Sequence, residues 1–355
     1  MVGVVVKTLP EFPVKKGEPA YKLWLFEPGQ KVEMPLVFNL RQLAETRRPA
    51  LLPGHRLCAG CAAPIVVKLA SFAFRGPTIV VTATGCLEVS TTIFPYTSWA
   101  VPWIHNAFEN AAATASGIAA AVEAMKKTGR LPYEHVDVVV FAGDGGTFDI
   151  GFQALSGAAE RGHDFLYILY DNEAYMNTGI QRSGGTPKYA WTTTSPVGSV
   201  LPGKMENKKP IAEIMVAHRI PYVATATPAH WMDFMKKVRK GIEVKGPAFI
   251  HALSSCDRGW RHDTALTLEV TRRAVDTCYF PLWEWTPETG YVLTDRSLAI
   301  ARNPKLKQPI EKYLELQGRF RHLLKPENKH LVKELQELVD AAWEELLRKA
   351  SNAPR

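Results

Sequence analysis

The stretch from Val136 to Thr178 constrains the fold of this chain more than any other part of the sequence. It contains two apolar runs, Val136 to Phe141 and Phe165 to Tyr170, with a helical stretch between them. Short apolar runs bounded by glycine or polar turns are typical of strands buried on both faces. Two such strands joined by a helix form a βαβ unit. The sequence therefore predicts an α/β fold, with a mainly parallel sheet and helices on both faces.

Each predicted strand is followed by residues that suit a ligand site. Gly143–Gly146 follows the first strand, and Asp171 and Asn172 follow the second. Asp144 and Asn172 thus fall at the carboxyl ends of the strands, where open parallel sheets bind ligands. A glycine turn before a helix offers N–H groups to a phosphate, and a carboxylate with an amide oxygen suits Mg²⁺. The spacing is neither that of a dinucleotide-binding turn nor that of a P-loop. A glycine turn with a capping aspartate, or a site for another nucleotide, remains an alternative.

The cysteines favour a metal or cluster site over a disulfide framework, because their number is odd and their spacing uneven. Cys58 and Cys61 form a C-x₂-C pair, whereas Cys86 and Cys256 each follow a predicted strand. The pair alone is compatible with half a zinc site, half an iron–sulfur site or a redox pair. One pair with two distant single cysteines is more typical of a [4Fe–4S] cluster. Cys278 is predicted to be a small buried apolar residue.

Composition narrows the class of protein. The chain has 355 residues, of which 46% are hydrophobic and 22% charged, as in a globular protein. No apolar run is long enough for a membrane span, and the amino terminus has no basic leader or cleavage site, so we expect a cytoplasmic protein. The net charge of +8 is compatible with nucleic acid, an acidic partner or a solvated surface. No basic or aromatic-basic motif supports nucleic-acid binding, which we do not expect.

Three segments are predicted along the chain. Residues 1–50 are rich in proline and charge and suggest an extended arm, for subunit docking or as a poorly ordered terminus. Residues 51–300 form the main α/β domain, and residues 301–355 a helical extension. The extension contains apolar residues at the spacing of an amphipathic helix: Leu331, Leu335, Leu338, Ala342 and Leu346. His105 and Glu109 are predicted to lie in a helix near the site.

The glycine turn, followed at this distance by Asn172, resembles the diphosphate-binding motif of thiamine-diphosphate enzymes. Further stretches between Pro53 and Trp343 extend the resemblance. They are Cys58-Ala59-Gly60-Cys61, Thr84-Gly85-Cys86, Phe94 to Gly117, Asp171 to Ser183, Trp191 to Pro196, Ile220 to Ala226 and Pro309 to Leu323. Together, and in this order, they resemble the β-subunits of the pyruvate:ferredoxin oxidoreductases, within the family of 2-oxoacid:ferredoxin oxidoreductases.

The resemblance implies that residues 51–300 bind thiamine diphosphate, Mg²⁺ and a [4Fe–4S] cluster. The implied cluster ligands are Cys58, Cys61, Cys86 and Cys256. The implied Mg²⁺ ligands are Asp144, Asn172 and the backbone carbonyl of Ala174. The implied contacts of thiamine diphosphate are Gly85, Gly143, Asp144, Gly145, Gly146, Asn172, Asn177 and Thr178. Asn177 would be catalytic, reaching towards the thiazolium ring and the substrate.

The implied activity is CoA-dependent oxidative decarboxylation of a 2-oxoacid, most simply pyruvate, with electrons leaving through the cluster to ferredoxin or a similar acceptor. The implied partners are α-, γ- and δ-type subunits. Alternatives are the same chemistry on an aryl or branched-chain 2-oxoacid such as phenylglyoxylate, and a non-oxidative thiamine-dependent decarboxylase subunit. A zinc-stabilised scaffold subunit is the alternative without enzymatic activity. Ala62-Ala63 and Asp257-Arg258 depart from the family pattern beside the cysteines, so the 2-oxoacid is undetermined.

Overall fold

The computed structural model describes residues 36–39, 41–43 and 49–352, so most of the predicted arm over residues 1–50 lies outside the described residues. Within this part of the chain, eight strands form one sheet in the order β2-β1-β3-β4-β6-β5-β7-β8. The strands are β1 (Thr78–Ala83), β2 (Trp103–Asn106), β3 (Asp137–Gly143), β4 (Leu166–Asp171), β5 (Tyr222–Ala226), β6 (Ala248–Leu253), β7 (Trp283–Thr286) and β8 (Gly290–Leu293). Strands β1 to β6 pair in parallel, and β7 and β8 add an antiparallel edge.

The helices connect and cover these strands. They are α1 (Ala63–Phe72), α2 (Cys86–Thr91), α3 (Ala111–Lys127), α4 (Phe152–Glu160), α5 (Ile211–Ala217), α6 (Trp231–Glu243), α7 (Asp257–Trp260), α8 (Thr267–Asp276), α9 (Asp295–Arg302), α10 (Glu311–Leu314) and α11 (Lys329–Ser351). The predicted βαβ unit is confirmed as β3, α4 and β4, with Gly143 paired to Tyr170.

The residues of β3 show why the sheet is covered on both sides. Val138 and Val140 belong to one hydrophobic cluster, whereas Val139 and Phe141 belong to the other. Side chains that alternate along a strand point to opposite faces, so both faces of the sheet are buried. The predicted α/β fold with helices on both faces is therefore confirmed.

The segment before α3 differs from the prediction. His105 lies in strand β2, which pairs in parallel with β1, and Glu109 lies in the turn that follows. The prediction of a helix over both residues is wrong. The run Trp103-Ile104-His105-Asn106 is too short and too exposed to show the period of either element clearly, and pairing with β1 decides its conformation.

The predicted C-terminal helix is confirmed as α11, and its apolar residues join the same hydrophobic cluster as one face of the sheet. Its inward residues are Val332, Leu335, Val339, Trp343 and Leu346. The inward face differs in part from the predicted apolar face, since Leu338 is 39% exposed and Ala342 is also exposed. Trp343 takes the inward position because it buries much more apolar area than its neighbour Ala342. Among the described residues, no helix is both long and apolar enough to span a membrane.

Trp343→Ala is expected to lower the free energy of unfolding by about 3–5 kcal/mol, because it empties a buried site between α11 and the body. Leu338→Ala is the matched control, and it should change the free energy by no more than about 0.5 kcal/mol. Urea denaturation of both variants measures the difference. Equal losses would contradict the orientation of α11.

Candidate active site

Neighbouring strands β1, β3, β4 and β6 end at one edge of the sheet, and each is followed by residues that the sequence singled out. Cys86 follows β1, Asp144 follows β3, Asn172 follows β4 and Cys256 follows β6. Parallel strands that are adjacent in a sheet bring their carboxyl ends together. The topology therefore gathers these four side chains at one edge of the sheet.

A single pocket at this edge brings together every residue predicted to contact the cofactor. Its lining includes Gly85, Gly143, Asp144, Gly145, Gly146, Asn172, Asn177 and Thr178. It also includes residues to which the sequence gave no role: Thr84, Phe108, Tyr170, Tyr175 and Met176. Asn177 and Thr178 are exposed at the open side, whereas Asp144 lies at the buried end. The roles of these residues stay predictions, but their convergence is a property of the fold.

The glycines of the turn are required by close packing. A Cβ atom on Gly145 would lie 2.1 Å from the ring of Tyr175, and one on Gly146 would lie 2.9 Å from the carbonyl oxygen of Phe108. The hydroxyl of Tyr175 donates to the carbonyl of Gly145 at 3.0 Å. A side chain at Gly145 or Gly146 would clash with these neighbours. Only glycine therefore allows the backbone of this turn to approach a ligand.

Asp144 is buried and is not neutralised by a basic side chain. Among the described residues, no lysine or arginine forms an ion pair with it, and its Oδ2 atom accepts a hydrogen bond from the hydroxyl of Ser183. Burial raises the pKa of Asp144 well above its ordinary value, and the neighbouring charge of Asp171 raises it further. A buried carboxylate in this position would be stabilised in its ionised form by a bound cation.

The side chain of Asn172 supports a cation at this point. One polar atom of its amide lies 2.8 Å from the carbonyl oxygen of Ala174 and 2.9 Å from Oδ1 of Asp144. If that atom is nitrogen, it donates to both oxygens. If it is oxygen, three oxygens converge, and a cation is needed to hold them together. Octahedral Mg²⁺ with bonds of 2.0–2.1 Å separates adjacent ligand oxygens by about 2.9 Å. The two distances from the Asn172 amide therefore fit a Mg²⁺ site.

A buried ionic network holds the turn that presents these oxygens. Glu173 has a φ of 66°, a left-handed conformation that is uncommon outside glycine. Its N–H donates to Oδ1 of Asp171 at 2.9 Å. Nζ of Lys208 lies 2.5 Å from Asp171 and 2.7 Å from Glu173, and Arg319 pairs with the other oxygen of Glu173. These contacts fix the strained residue between Asn172 and Ala174.

The network also sets the local charge. Burial alone would raise the pKa of Asp171, but Lys208 and His251 lower it to about 2. Burial lowers the pKa of His251, although the contact with Asp171 raises it. The lowered pKa favours the neutral histidine. The two acids, Asp171 and Glu173, are therefore balanced by Lys208 and Arg319. Among the described residues Asp144 has no ion pair of its own, which agrees with a cation site at that residue.

Two aromatic contacts connect this turn to more distant segments. The Arg319 guanidinium stacks 4.0 Å above the ring of Trp260, and Nε1 of Trp260 donates to the carbonyl of Asn172 at 2.7 Å. Because Trp260 ends α7, which begins directly after Cys256, the cysteine loop and the Asn172 turn are braced against each other. Sequence patterns gave no role to Lys208 or Arg319, although Arg319 lies within the stretch from Pro309 to Leu323.

The four cysteines predicted as ligands form no disulfide bonds. The N–H of Ala62 donates to the carbonyl of Ser255, joining the C-x₂-C loop to the Cys256 loop. Burial raises the pKa of Cys61 to about 12, and the charges of Cys256, Cys86 and Cys58 raise it in the same direction. Burial likewise raises the pKa of Cys86 to about 12, and a hydrogen bond from Asn177 opposes that rise.

Two further findings concern the predicted metal ligands and the remaining cysteine, Cys278. Within the described ranges, no group of three or more His, Cys, Asp or Glu side chains is arranged to hold one metal ion. An iron–sulfur cluster distributes its thiolates over separate iron atoms, so its ligands need not surround a single point. Cys278 is buried in the hydrophobic core, as predicted.

Comparison with known proteins gives a family for this site. Residues 83–252 match the family model of the thiamine pyrophosphate enzyme, C-terminal TPP binding domain. Pyruvate synthase subunit PorB of Thermotoga maritima is 50% identical over 317 residues, which cover 87% of this chain and 95% of that protein. PorB of Methanocaldococcus jannaschii is 51% identical over 292 residues, or 82% of this chain and 95% of that protein. Ketoisovalerate oxidoreductase subunit VorB of Pyrococcus abyssi is 44% identical over 300 residues, or 84% of this chain and 92% of that protein.

Lys208→Met is expected to lower the free energy of unfolding by about 3–5 kcal/mol, because it leaves buried carboxylates without their shared partner. Lys209→Met is the matched control. Its side chain is 48% exposed and pairs with Asp149, so its loss should be less than about 1 kcal/mol. Urea unfolding of the two variants at neutral pH makes the comparison. A small loss for Lys208→Met would contradict the network as the support of the turn.

Proposed function

Because the chain belongs to the family of the pyruvate synthase PorB subunits, we propose that it is the thiamine-diphosphate-binding subunit of a 2-oxoacid:ferredoxin oxidoreductase, with pyruvate as substrate and CoA as acyl acceptor. The observation that carries this proposal is the identity of 50% over nearly the whole length of a relative named for that activity. The pocket at the ends of β1, β3 and β4 supports it independently, because the fold alone brings the predicted cofactor residues together.

The residues at the buried end would hold the diphosphate and its metal ion. Gly143–Gly146 would present backbone N–H groups to the diphosphate, and Asp144, Asn172 and the Ala174 carbonyl would hold Mg²⁺. The support is the approach of the Asn172 amide to both Asp144 and the Ala174 carbonyl, and the lack of an ion pair to buried Asp144 among the described residues. The metal ion would offset the negative charge of the diphosphate. Without the metal ion, the carboxylate of Asp144 would repel the diphosphate.

The residues nearer the opening would act on the substrate. Thiamine diphosphate, when bound, supplies the electron sink that decarboxylation of a 2-oxoacid requires. Asn177 would orient the substrate beside it, with Thr178 on the diphosphate. Phe108 and Tyr175 pack edge to face at 6.1 Å and form an apolar wall that would limit the access of water.

Cys58, Cys61, Cys86 and Cys256 would hold a [4Fe–4S] cluster. At physiological pH the burial of Cys61 and Cys86 favours neutral thiols, so their conversion to thiolates requires strong stabilisation by iron. A cluster at this place would accept electrons one at a time beside the cofactor pocket, because Cys86 lines that pocket. Its presence would separate this protein from a non-oxidative decarboxylase subunit, in which the carbon left after loss of CO₂ is protonated.

The similarity to VorB favours a branched-chain 2-oxoacid as the second candidate substrate. Turnover of the assembled complex on pyruvate, 2-ketoisovalerate and phenylglyoxylate tests the choice. Preference for pyruvate supports the proposal, and preference for 2-ketoisovalerate would replace it with the second candidate.

The cluster assignment predicts that Ser in place of Cys58, Cys61, Cys86 or Cys256 lowers the iron and sulfide content and stops electron transfer, because thiolates are the ligands. Cys278→Ser is the matched control and should retain the cluster, since Cys278 lies in the core. Iron and sulfide assays after anaerobic purification measure the outcome. Zinc in place of iron in the unsubstituted chain would favour the scaffold alternative, and loss of iron only in Cys278→Ser would contradict the ligand set.

The chain alone is expected to show no decarboxylation after reconstitution, because thiamine catalysis needs a carboxylate against the pyrimidine ring. Within the described residues, no glutamate lines the pocket, and Glu88 lies instead 3.9 Å from His105. Phe94 and Tyr96, which are 93% and 77% exposed, form an apolar surface that a partner subunit could bury.

Assay of the reconstituted chain with and without the partner thiamine-fold subunit tests this expectation. Activity should appear only after the partner is added. Turnover by the chain alone would contradict the expectation that the partner subunit supplies this carboxylate. Glu88→Gln and Glu109→Gln variants would then locate the carboxylate in this chain.

A further inference from the structure

The turn Ser183–Thr186 joins the two halves of the proposed metal site. Ser183 and Thr186 are both fully buried. The hydroxyl of Ser183 donates to Oδ2 of Asp144, which follows strand β3. The hydroxyl of Thr186 donates to the carbonyl of Glu173, in the turn after strand β4, at 2.7 Å. One short turn therefore contacts both the metal-site carboxylate and the loop that presents the other two oxygens.

The two glycines inside the turn allow this approach. A Cβ atom on Gly185 would lie 3.1 Å from Cβ of Asp144 and 3.1 Å from Oδ1 of Asp171. A Cβ atom on Gly184 would lie 2.7 Å from Oδ1 of Asp149. The N–H of Gly184 also donates to the other oxygen of Asp149 at 2.8 Å. A side chain at either position would push the turn away from the site, so the sequence Ser-Gly-Gly-Thr is matched to its place.

The hydrogen bonds within the turn direct the hydroxyl of Ser183. Its oxygen accepts a hydrogen bond from the N–H of Gly185 at 3.1 Å. The backbone N–H of Ser183 donates to the hydroxyl oxygen of Thr186 at 3.0 Å. The hydroxyl hydrogen of Ser183 is thereby left for Oδ2 of Asp144. Because Oδ2 is held by Ser183, Oδ1 is the oxygen that faces the side-chain amide of Asn172, at 2.9 Å.

We propose that Ser183 is a positioning residue for the metal ion: it fixes the rotation of the Asp144 carboxylate so that Oδ1 faces the side-chain amide of Asn172, which also contacts the Ala174 carbonyl. The inference rests on the proposed Mg²⁺ site. Ser183 is not among the residues that line the pocket, so it would act by orienting the carboxylate of Asp144. Partners that orient a metal ligand through a hydrogen bond typically contribute 10- to 100-fold in metal affinity.

The test measures binding of Mn²⁺ to the full chain, stripped of metal and supplied with thiamine diphosphate. The electron paramagnetic resonance signal of free Mn²⁺ reports the bound fraction. Ser183→Ala is expected to raise the Mn²⁺ dissociation constant about 10- to 100-fold. Ser71→Ala is the matched control, because Ser71 is also fully buried and donates to a backbone carbonyl, that of Lys68, at 2.8 Å within α1. Its Mn²⁺ affinity should equal that of the unsubstituted chain.

Ser183→Cys provides a second variant that keeps the side chain close to its original size. A thiol is a weak hydrogen-bond donor, so this variant should also lose Mn²⁺ affinity even where the alanine variant does not fold. Unchanged affinity in the folded Ser183 variants overturns the inference and leaves the metal site standing. Equal losses in the Ser71 and Ser183 variants also overturn it, since they indicate general destabilisation. No Mn²⁺ binding by the unsubstituted chain overturns the metal site itself, and the inference with it.

Discussion

The geometry of the cofactor pocket depends on the contact of Lys208 with two buried carboxylates. Asp171 and Glu173 lie close together at the end of β4, and their mutual repulsion would open the turn between them without a shared cation. With Lys208 in place, Glu173 adopts its left-handed conformation and the turn projects Asn172 and the Ala174 carbonyl towards Asp144. The strain of Glu173 is thus supported by an ion pair whose residues do not line the pocket.

The order of the strands explains why the predicted cluster ligands and the predicted cofactor residues lie at the same edge of the sheet. The inner strands β3 and β4 carry Asp144 and Asn172, and the flanking strands β1 and β6 carry Cys86 and Cys256. A cluster bound by the flanking cysteines would therefore adjoin a cofactor bound by the inner strands, whatever the loops do in detail. Short separation between the two would be a consequence of strand order, and one-electron transfer from the cofactor requires such proximity.

The sequence was sufficient for the parts of the structure that rest on local patterns. The βαβ unit, the strand ends and the buried state of Cys278 follow from apolar runs and from residue type. Helix α11 was also predicted, but its inward face was displaced, because periodicity does not decide between Ala342 and its neighbour Trp343. His105 was assigned to a helix because β2 is short and its strand character depends on pairing with β1. Local pattern fails where a distant segment decides the outcome.

The same limit applies to the site, and it shows what the C-terminal segment contributes. The glycines of the turn and Asn172 can be found by motif, and they line the pocket. Arg319 cannot, because its value comes from its contacts with Glu173 and with the face of Trp260. Through these contacts a residue far along the chain from the glycine turn braces both the Asn172 turn and the helix after Cys256. The segment beyond residue 300 is therefore part of the structure that holds the pocket in shape, and the site cannot be understood from residues 83–252 alone.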